Sequence, residues 1–429
     1  MRKVLIIGGG ASGTLVAINL ALLSKHELSV VIAEPANELG RGIAYSTKDP
    51  SHLLNVPAGR MSALPDSPDH FCQWSGLQPD SFAQRMTYGQ YLNSTFEQVK
   101  IENQKVKFQH LQDVVTSISW DNERLYRVKF EDSLEQEFDF VILAIGHGEP
   151  ITHPLFQKHE AASAFLLDSW RDEISPIFGT MACIGTGLTF IDHALSYLRL
   201  HPENKVIGIS RTGSLPKTHL AKRAPALEVP PSARTSPMAI RNFIESSSDW
   251  RAAQDGIRHE LPEIWNSWSD SAKDEFLKSH QRWWNVHRHR ISPEIDLELQ
   301  TAIKHGRIQI IKGELTSIEQ SSESFQIKTN SGESISAEVI VNCLGYQVNG
   351  RRNFLAKLIE QGLAVPGPLG LGIKTKYPNY TVIGGKGVET VGLFALGPIL
   401  LGERYETTAI PELRVQARDL ALELLSNIG

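Results

Sequence analysis

The sequence predicts an α/β fold of two Rossmann-like domains with a mainly helical insertion, and three observations predict it. An apolar run at 4–7 passes into Gly8, Gly10 and Gly13, a helix-like stretch at 14–23, and a second apolar run at 30–33 that ends on Glu34. A parallel series starts near Met181: an apolar run at 181–184, the turn Gly185-Thr186-Gly187, and another run at 206–210 that ends on Arg211. Between Arg211 and about Leu299 the β-like pattern stops. Prolines cluster there at 225, 230, 231 and 237, followed by helix-like sequence carrying five of the eight tryptophans.

In the first series each glycine has a physical task. Gly8 allows the tight turn off the strand, Gly10 lets a pyrophosphate approach the backbone, and Gly13 lets the helix pack closely. The helix start, with Ser12, offers unpaired N–H groups and a positive dipole end to phosphates. Glu34, 21 residues beyond Gly13, can accept hydrogen bonds from adenosine ribose hydroxyls. The second series has Phe190 where the third glycine would fall, and it matches less closely. Arg211 stands 26 residues after Gly185. An arginine there either pairs with a 2′-phosphate, favouring NADPH over NADH, or is a surface arginine at a strand end. Asp192, on the following helix, either faces solvent or faces the nicotinamide side.

Three further apolar runs end in glycine: 140–145 at Gly146, 339–344 at Gly345, and 391–396 at Gly397-Pro398. A helix is expected over roughly 407–425 from its apolar spacing. The expected division is a first domain of 1–165 and 346–429, a second of 166–215 and 300–345, and an insertion or substrate lid of 216–299.

The length of 429 residues suits two or three domains, and 41% hydrophobic with 21% charged residues suits a water-soluble chain. A net charge of −5 gives no general attraction to nucleic acid or anionic membranes. Cys72, Cys183 and Cys343 form no C-x-x-C pair, which argues against a local redox dithiol and a cysteine zinc site. Two alternating histidines at 287 and 289 are too few for zinc, so no metal is expected. Unpaired cysteines suit a reducing, cytoplasmic compartment, and no apolar stretch is long enough to span a bilayer.

With both series placed, the chain resembles the bacterial FAD/NAD(P)-binding proteins, two-dinucleotide-binding-domain flavoproteins distantly related to N-hydroxylating flavin monooxygenases. Gly40-Arg-Gly-Ile-Ala-Tyr-Ser46, His52-Leu-Leu-Asn-Val-Pro-Ala-Gly-Arg-Met61, Arg282-Trp-Trp-Asn-Val-His-Arg-His-Arg290, and the run from Leu396-Gly-Pro398 through Gly402-Glu403 to Glu406-Thr-Thr-Ala-Ile-Pro411 carry the resemblance. It implies FAD in the first domain and NADPH in the second. Gly8, Gly10, Ser12 and Gly13 would hold the FAD pyrophosphate, and Glu34 the ribose. Arg41, Gly42, Asn55 and Met61 would lie along the flavin, and Val114 or Val115 would meet the adenine through its backbone. Gly146 would mark the crossing between domains, and Gly185, Thr186, Gly187 and Arg211 would hold NADPH. Gly397, Thr407 and Thr408 would close over the ribityl chain and pyrimidine edge. Many relatives place an aspartate where this chain has Pro398, so that ribityl contact is replaced or absent here.

No residue pattern fixes a reaction. Asn55 either hydrogen-bonds near the flavin ring or is a turn residue before Pro57. His287 either exchanges a proton near neutral pH or lies on a basic helix face. Arg288 and Arg290 either bind a carboxylate substrate or belong to that same face. The expectation is an FAD enzyme reduced by NADPH, a monooxygenase that uses O2 on a small amine or amino acid. The alternatives are an FAD oxidase or dehydrogenase, and a flavin-binding redox sensor without turnover.

Overall fold

The computed structural model describes residues 1–120, 125–160, 162–172, 178–222, 224–321, 323–348 and 352–428. Its strands form two mainly parallel sheets. The first runs in the order Thr381–Ile383, Glu389–Ala395, Phe140–Leu143, Arg2–Ile7, Leu28–Ala33, Val106–Leu111, and only its first pair is antiparallel. The second runs Ile308–Lys312, Lys205–Ser210, Thr180–Ile184, Val339–Asn342, Phe165–Leu166, all parallel. The inner strands are buried along most of their length, which is why they read as unbroken apolar runs.

The two domains repeat one another further than the two glycine turns. Each proceeds strand, helix, strand, long crossover, strand, three-stranded antiparallel sheet, returning strand. In the first domain the antiparallel sheet is Val115–Trp120, Tyr126–Phe130, Gln136–Phe138; in the second it is Leu315–Gln320, Phe325–Thr329, Ser334–Ala337. The insertion is therefore the second domain's long crossover, at the position that residues 34–105 occupy in the first. Both crossovers leave from the carboxyl ends of parallel strands, where open α/β sheets place their ligands.

The crossover of the second domain builds its own core. Helix Trp250–Ser267 is capped by Asp249, whose Oδ1 accepts from the N–H of Arg251 at 2.9 Å and of Ala252 at 3.1 Å. Ala253, Ile257, Leu261 and Ile264 recur at helical spacing and bury against Phe276 and Trp284. The next helix, Pro293–Lys304, is capped by Ser292 and packs Leu299 and Ala302 onto the second sheet. The apolar stripe of 293–304 faces the second domain's core. Among the described residues no helix is long and apolar enough to cross a membrane.

Candidate functional site

The first glycine turn is built as its spacing requires. Gly8 has φ +96°, and a Cβ there would lie 2.4 Å from the Ala144 carbonyl oxygen. A Cβ at Gly13 would fall 1.9 Å from the Gly8 oxygen. Helix Ala11–Leu23 starts on Gly10 with no side chain capping it, so its first N–H groups are left for an anion. Gly10 faces the backbone of Gly42, 3.3 Å from where its Cβ would lie, and Arg41 beside it is ion-paired with Glu38. Gly397 approaches from the other side, its missing side chain leaving room for the Ser12 hydroxyl. Glu34 reaches back to the turn, its Oε2 accepting from the Gly9 N–H at 2.9 Å. This glycine-walled cradle, uncapped and ringed by Ser12, Gly42 and Gly397, fits a dinucleotide pyrophosphate.

The remaining first-domain candidates surround it at varying distance. Met61 is buried, and Asn55 is half-buried with its carbonyl accepting from His219 Nε2 of the insertion at 3.0 Å. Val114 spends its N–H on Asp113 and its carbonyl on the Glu131 N–H, while Val115 enters an antiparallel strand. Gly146 ends its strand with φ +70°. Pro398 is buried, and Thr408 is exposed. The expected helix start at Thr407 is corrected to Ile410, because Ala409 is still extended, at φ −101° and ψ 148°. The buried Thr407 hydroxyl instead donates to the Gly397 carbonyl at 3.1 Å. Glu412 occupies the helix's first turn, so the positive end already faces a carboxylate.

The arginines expected to bind substrate separate into two environments. Arg288 Nε and Nη2 donate to the two carboxylate oxygens of Glu406, both at 3.0 Å, within a buried group completed by Arg258 and Glu412, 2.6 Å apart. Burial alone would raise the Glu406 pKa, but the Arg288 and Arg258 guanidiniums hold it down at about 2. Arg290 donates to Asp255 at 3.0 Å and lines a small chamber with Pro57, Phe82, His219 and Arg251, where the two crossovers meet. His287 donates Nδ1–H to the Trp283 carbonyl at 2.8 Å and lies against Trp250 and Trp283; burial lowers its pKa.

The second turn repeats the first with two changes. Gly185 has φ +110° and helix Leu188–Leu200 begins on Gly187 without a capping side chain. Phe190 takes the place of the third glycine. Its ring fits because the neighbouring strand has Gly208, where a Cβ would lie 2.8 Å from the ring. The close approach is thus made by a glycine on the strand instead of one on the helix. The buried Thr186 hydroxyl bonds Ser210 Oγ at 2.8 Å and donates to the Ser214 carbonyl at 2.7 Å. Arg211 is exposed and lines an open cleft with Lys312, Glu314 and Ser331.

Asp192 is half-buried. It pairs with Arg85 of the first domain at 2.7 Å, beside a chain running from Asp49 through Ser196 to His52. Burial raises the Asp192 pKa, and Arg85 opposes that shift. Sequence reasoning had no signal for Arg85 or for this interdomain network, whose bonds between the two units join residues more than 100 positions apart.

Two phosphate-type turns, one per domain, facing long crossovers that meet each other, define a two-dinucleotide-binding-domain architecture of the flavoprotein type. Residues 5–148 match the model of a family described as FAD-NAD(P)-binding. No curated protein matches the chain by sequence. Among solved structures, the chain is similar to ornithine hydroxylase from Pseudomonas aeruginosa, with 14% identity, TM-score 0.67 and 100% of both chains covered. It is also similar to L-lysine 6-monooxygenase from Pseudomonas syringae, with 15% identity, TM-score 0.64 and 100% of both chains covered. Bacillithiol disulfide reductase from Staphylococcus aureus shares the fold at 15% identity, TM-score 0.62 and 100% coverage of both. At these identities the likeness is one of fold.

Proposed function

We propose that the protein is an FAD-dependent oxidoreductase reduced by NADPH, and a monooxygenase of a small amine or amino acid. The observation that carries the cofactor assignment is the contrast between the two turns. Gly8 N–H donates to the Ala33 carbonyl and Gly185 N–H to the Ile209 carbonyl, at 2.9 and 2.8 Å, so Glu34 and Ser210 are equivalent positions. The first turn has an acid there, suited to ribose hydroxyls. The second has an uncharged hydroxyl followed by Arg211, suited to a phosphorylated ribose.

The bound flavin would supply hydride acceptance and onward transfer of electrons to O2. The chain's own residues bind and orient. Glu34 and the Gly8–Gly13 turn hold one dinucleotide, and Gly185, Thr186, Gly187 and Arg211 hold the other. The crossovers shield the space between the domains from water. Two of the structures sharing this fold over full length are named for hydroxylating or oxygenating ornithine and lysine, which supports amine oxygenation. A disulfide-reductase reading has less support: Cys183 and Cys343 touch but are both buried, and the half-buried Cys72 is on helix His70–Ser75 of the first domain.

Anaerobic titration of the purified flavin-loaded protein with NADPH tests the reading through absorbance near roughly 450 nm, where oxidised flavin absorbs. Bleaching by NADPH is expected, followed on admitting air by amine-dependent NADPH consumption. A flavin bleached by an amine alone, with NADPH inert, would establish an oxidase or dehydrogenase instead.

A further inference from the structure

Arg282 lies on helix Gln281–Arg288 of the insertion, yet its guanidinium sits in the second domain's phosphate turn. Nη2 donates to Thr186 Oγ1 at 3.1 Å and to the Ser214 carbonyl at 3.0 Å, and Nε donates to Thr212 Oγ1 at 3.3 Å. It thus spans the glycine turn and the end of strand Lys205–Ser210. All three partners are neutral. Arg211 is close enough that, after burial, its charge is the next cause lowering the Arg282 pKa. Among the described residues neither arginine forms an ion pair with a carboxylate. Arg211 shares its cleft with Lys312, and Glu314 is the one acid on that lining. Thr212, which Arg282 bonds, is the residue after Arg211, so the two cations belong to one strand end, and like charges there favour an anion between them. A phosphate monoester, with three acceptor oxygens, matches two arginine forks.

We propose that Arg282 is a second guanidinium of the site for the adenosine 2′-phosphate of NADPH, so that the insertion closes on the nicotinamide cofactor as well as on substrate. The proposal rests on the NADPH reading of the second turn. It gives the insertion a role in choosing the cofactor: the lid completes the phosphate site, and a ligand lacking the 2′-phosphate leaves the two arginines facing each other.

Calorimetric titration of the flavin-loaded protein with NADP+, NAD+ and adenosine 2′,5′-bisphosphate tests it without turnover. Arg282→Gln is expected to weaken NADP+ and the bisphosphate by about 10- to 100-fold while changing NAD+ by less than about threefold, as loss of a charge-assisted bond to one phosphate predicts. Arg282→Lys should recover part of the loss by restoring the charge without the fork. Equal weakening of NADP+ and NAD+, or no change in either, would overturn the assignment and leave Arg282 a tie between insertion and turn. Wild-type protein that binds neither nicotinamide would overturn the NADPH reading itself. Wild-type protein that prefers NADP+, with Arg282→Gln unchanged, would overturn only the part given to Arg282.

Discussion

At the scale of single residues, the buried charges between the insertion and the first domain decide more than the exposed ones. Arg288 and Glu406 are each about 5% exposed and share two parallel hydrogen bonds. Removing one partner strands the other charge in a dry setting, so Glu406→Gln should cost about 3–5 kcal/mol of stability near neutral pH. The pH dependence follows from the direction of the shift. The Glu406 pKa is lowered from 4.5 to about 2 in the folded state. Its contribution is therefore complete above the unfolded value and is lost as pH falls through the folded one. Urea denaturation at stepped pH should show the wild type weakening between pH 4.5 and 2 more steeply than Glu406→Gln. Identical acid slopes would remove Glu406 from the account. The sequence marks Arg288 only as part of a basic run. Its partner lies 118 residues away, and nothing local distinguishes a guanidinium awaiting a ligand from one already paired.

Among the elements, the two glycine turns were legible because their requirements are local: a strand, a turn too tight for a side chain, and a helix start. Where the requirement is shared between elements, the local signal fades. Phe190 looked like a defect in the second turn. It is half of a complementary pair, with Gly208 on the adjacent strand receiving the ring. Gly208→Ala should therefore overpack the helix–strand contact and destabilise by about 1–3 kcal/mol, with Phe190→Leu in the same chain restoring much of the loss. Thermal melts of the two single variants and the double variant measure this; strictly additive losses would mean that the two positions do not share space. The C-terminal helix shows the same limit. Its apolar spacing was readable, but its start lies at Ile410, because Thr407 bonds the Gly397 carbonyl and Ala409 stays extended.

For the whole molecule, chemistry between two bound dinucleotides depends on how the domains face one another, and the contacts that set this are long-range in sequence. Arg85 and Asp192 tie the first domain's crossover to the second domain's first helix. Arg85→Met removes the cation and leaves the carboxyl buried, where it takes up a proton. The flavin cradle, which uses neither residue, should keep its cofactor. The rate of flavin reduction by NADPH should fall by about tenfold or more, since small misplacements of reacting groups are expensive. Stopped-flow reduction alongside flavin content separates the two effects: loss of flavin with an unchanged rate per bound flavin would show that the pair stabilises the first domain only.

The chain crosses between the domains twice, and the two crossings are stitched together. Gly148 N–H bonds the Gln347 carbonyl, Gln347 N–H the Glu149 carbonyl, and Ile151 N–H the Gly345 carbonyl, at 2.8 to 2.9 Å. Two free tethers would let one body slide, tilt and twist against the other. A ribbon of two hydrogen-bonded strands behaves as a leaf spring, compliant to bending across its face and stiff to stretch and to shear in its plane. The two crossings thereby act as a single strap about the Pro150–Tyr346 bridge, alongside the Arg85–Asp192 pair, instead of as independent tethers.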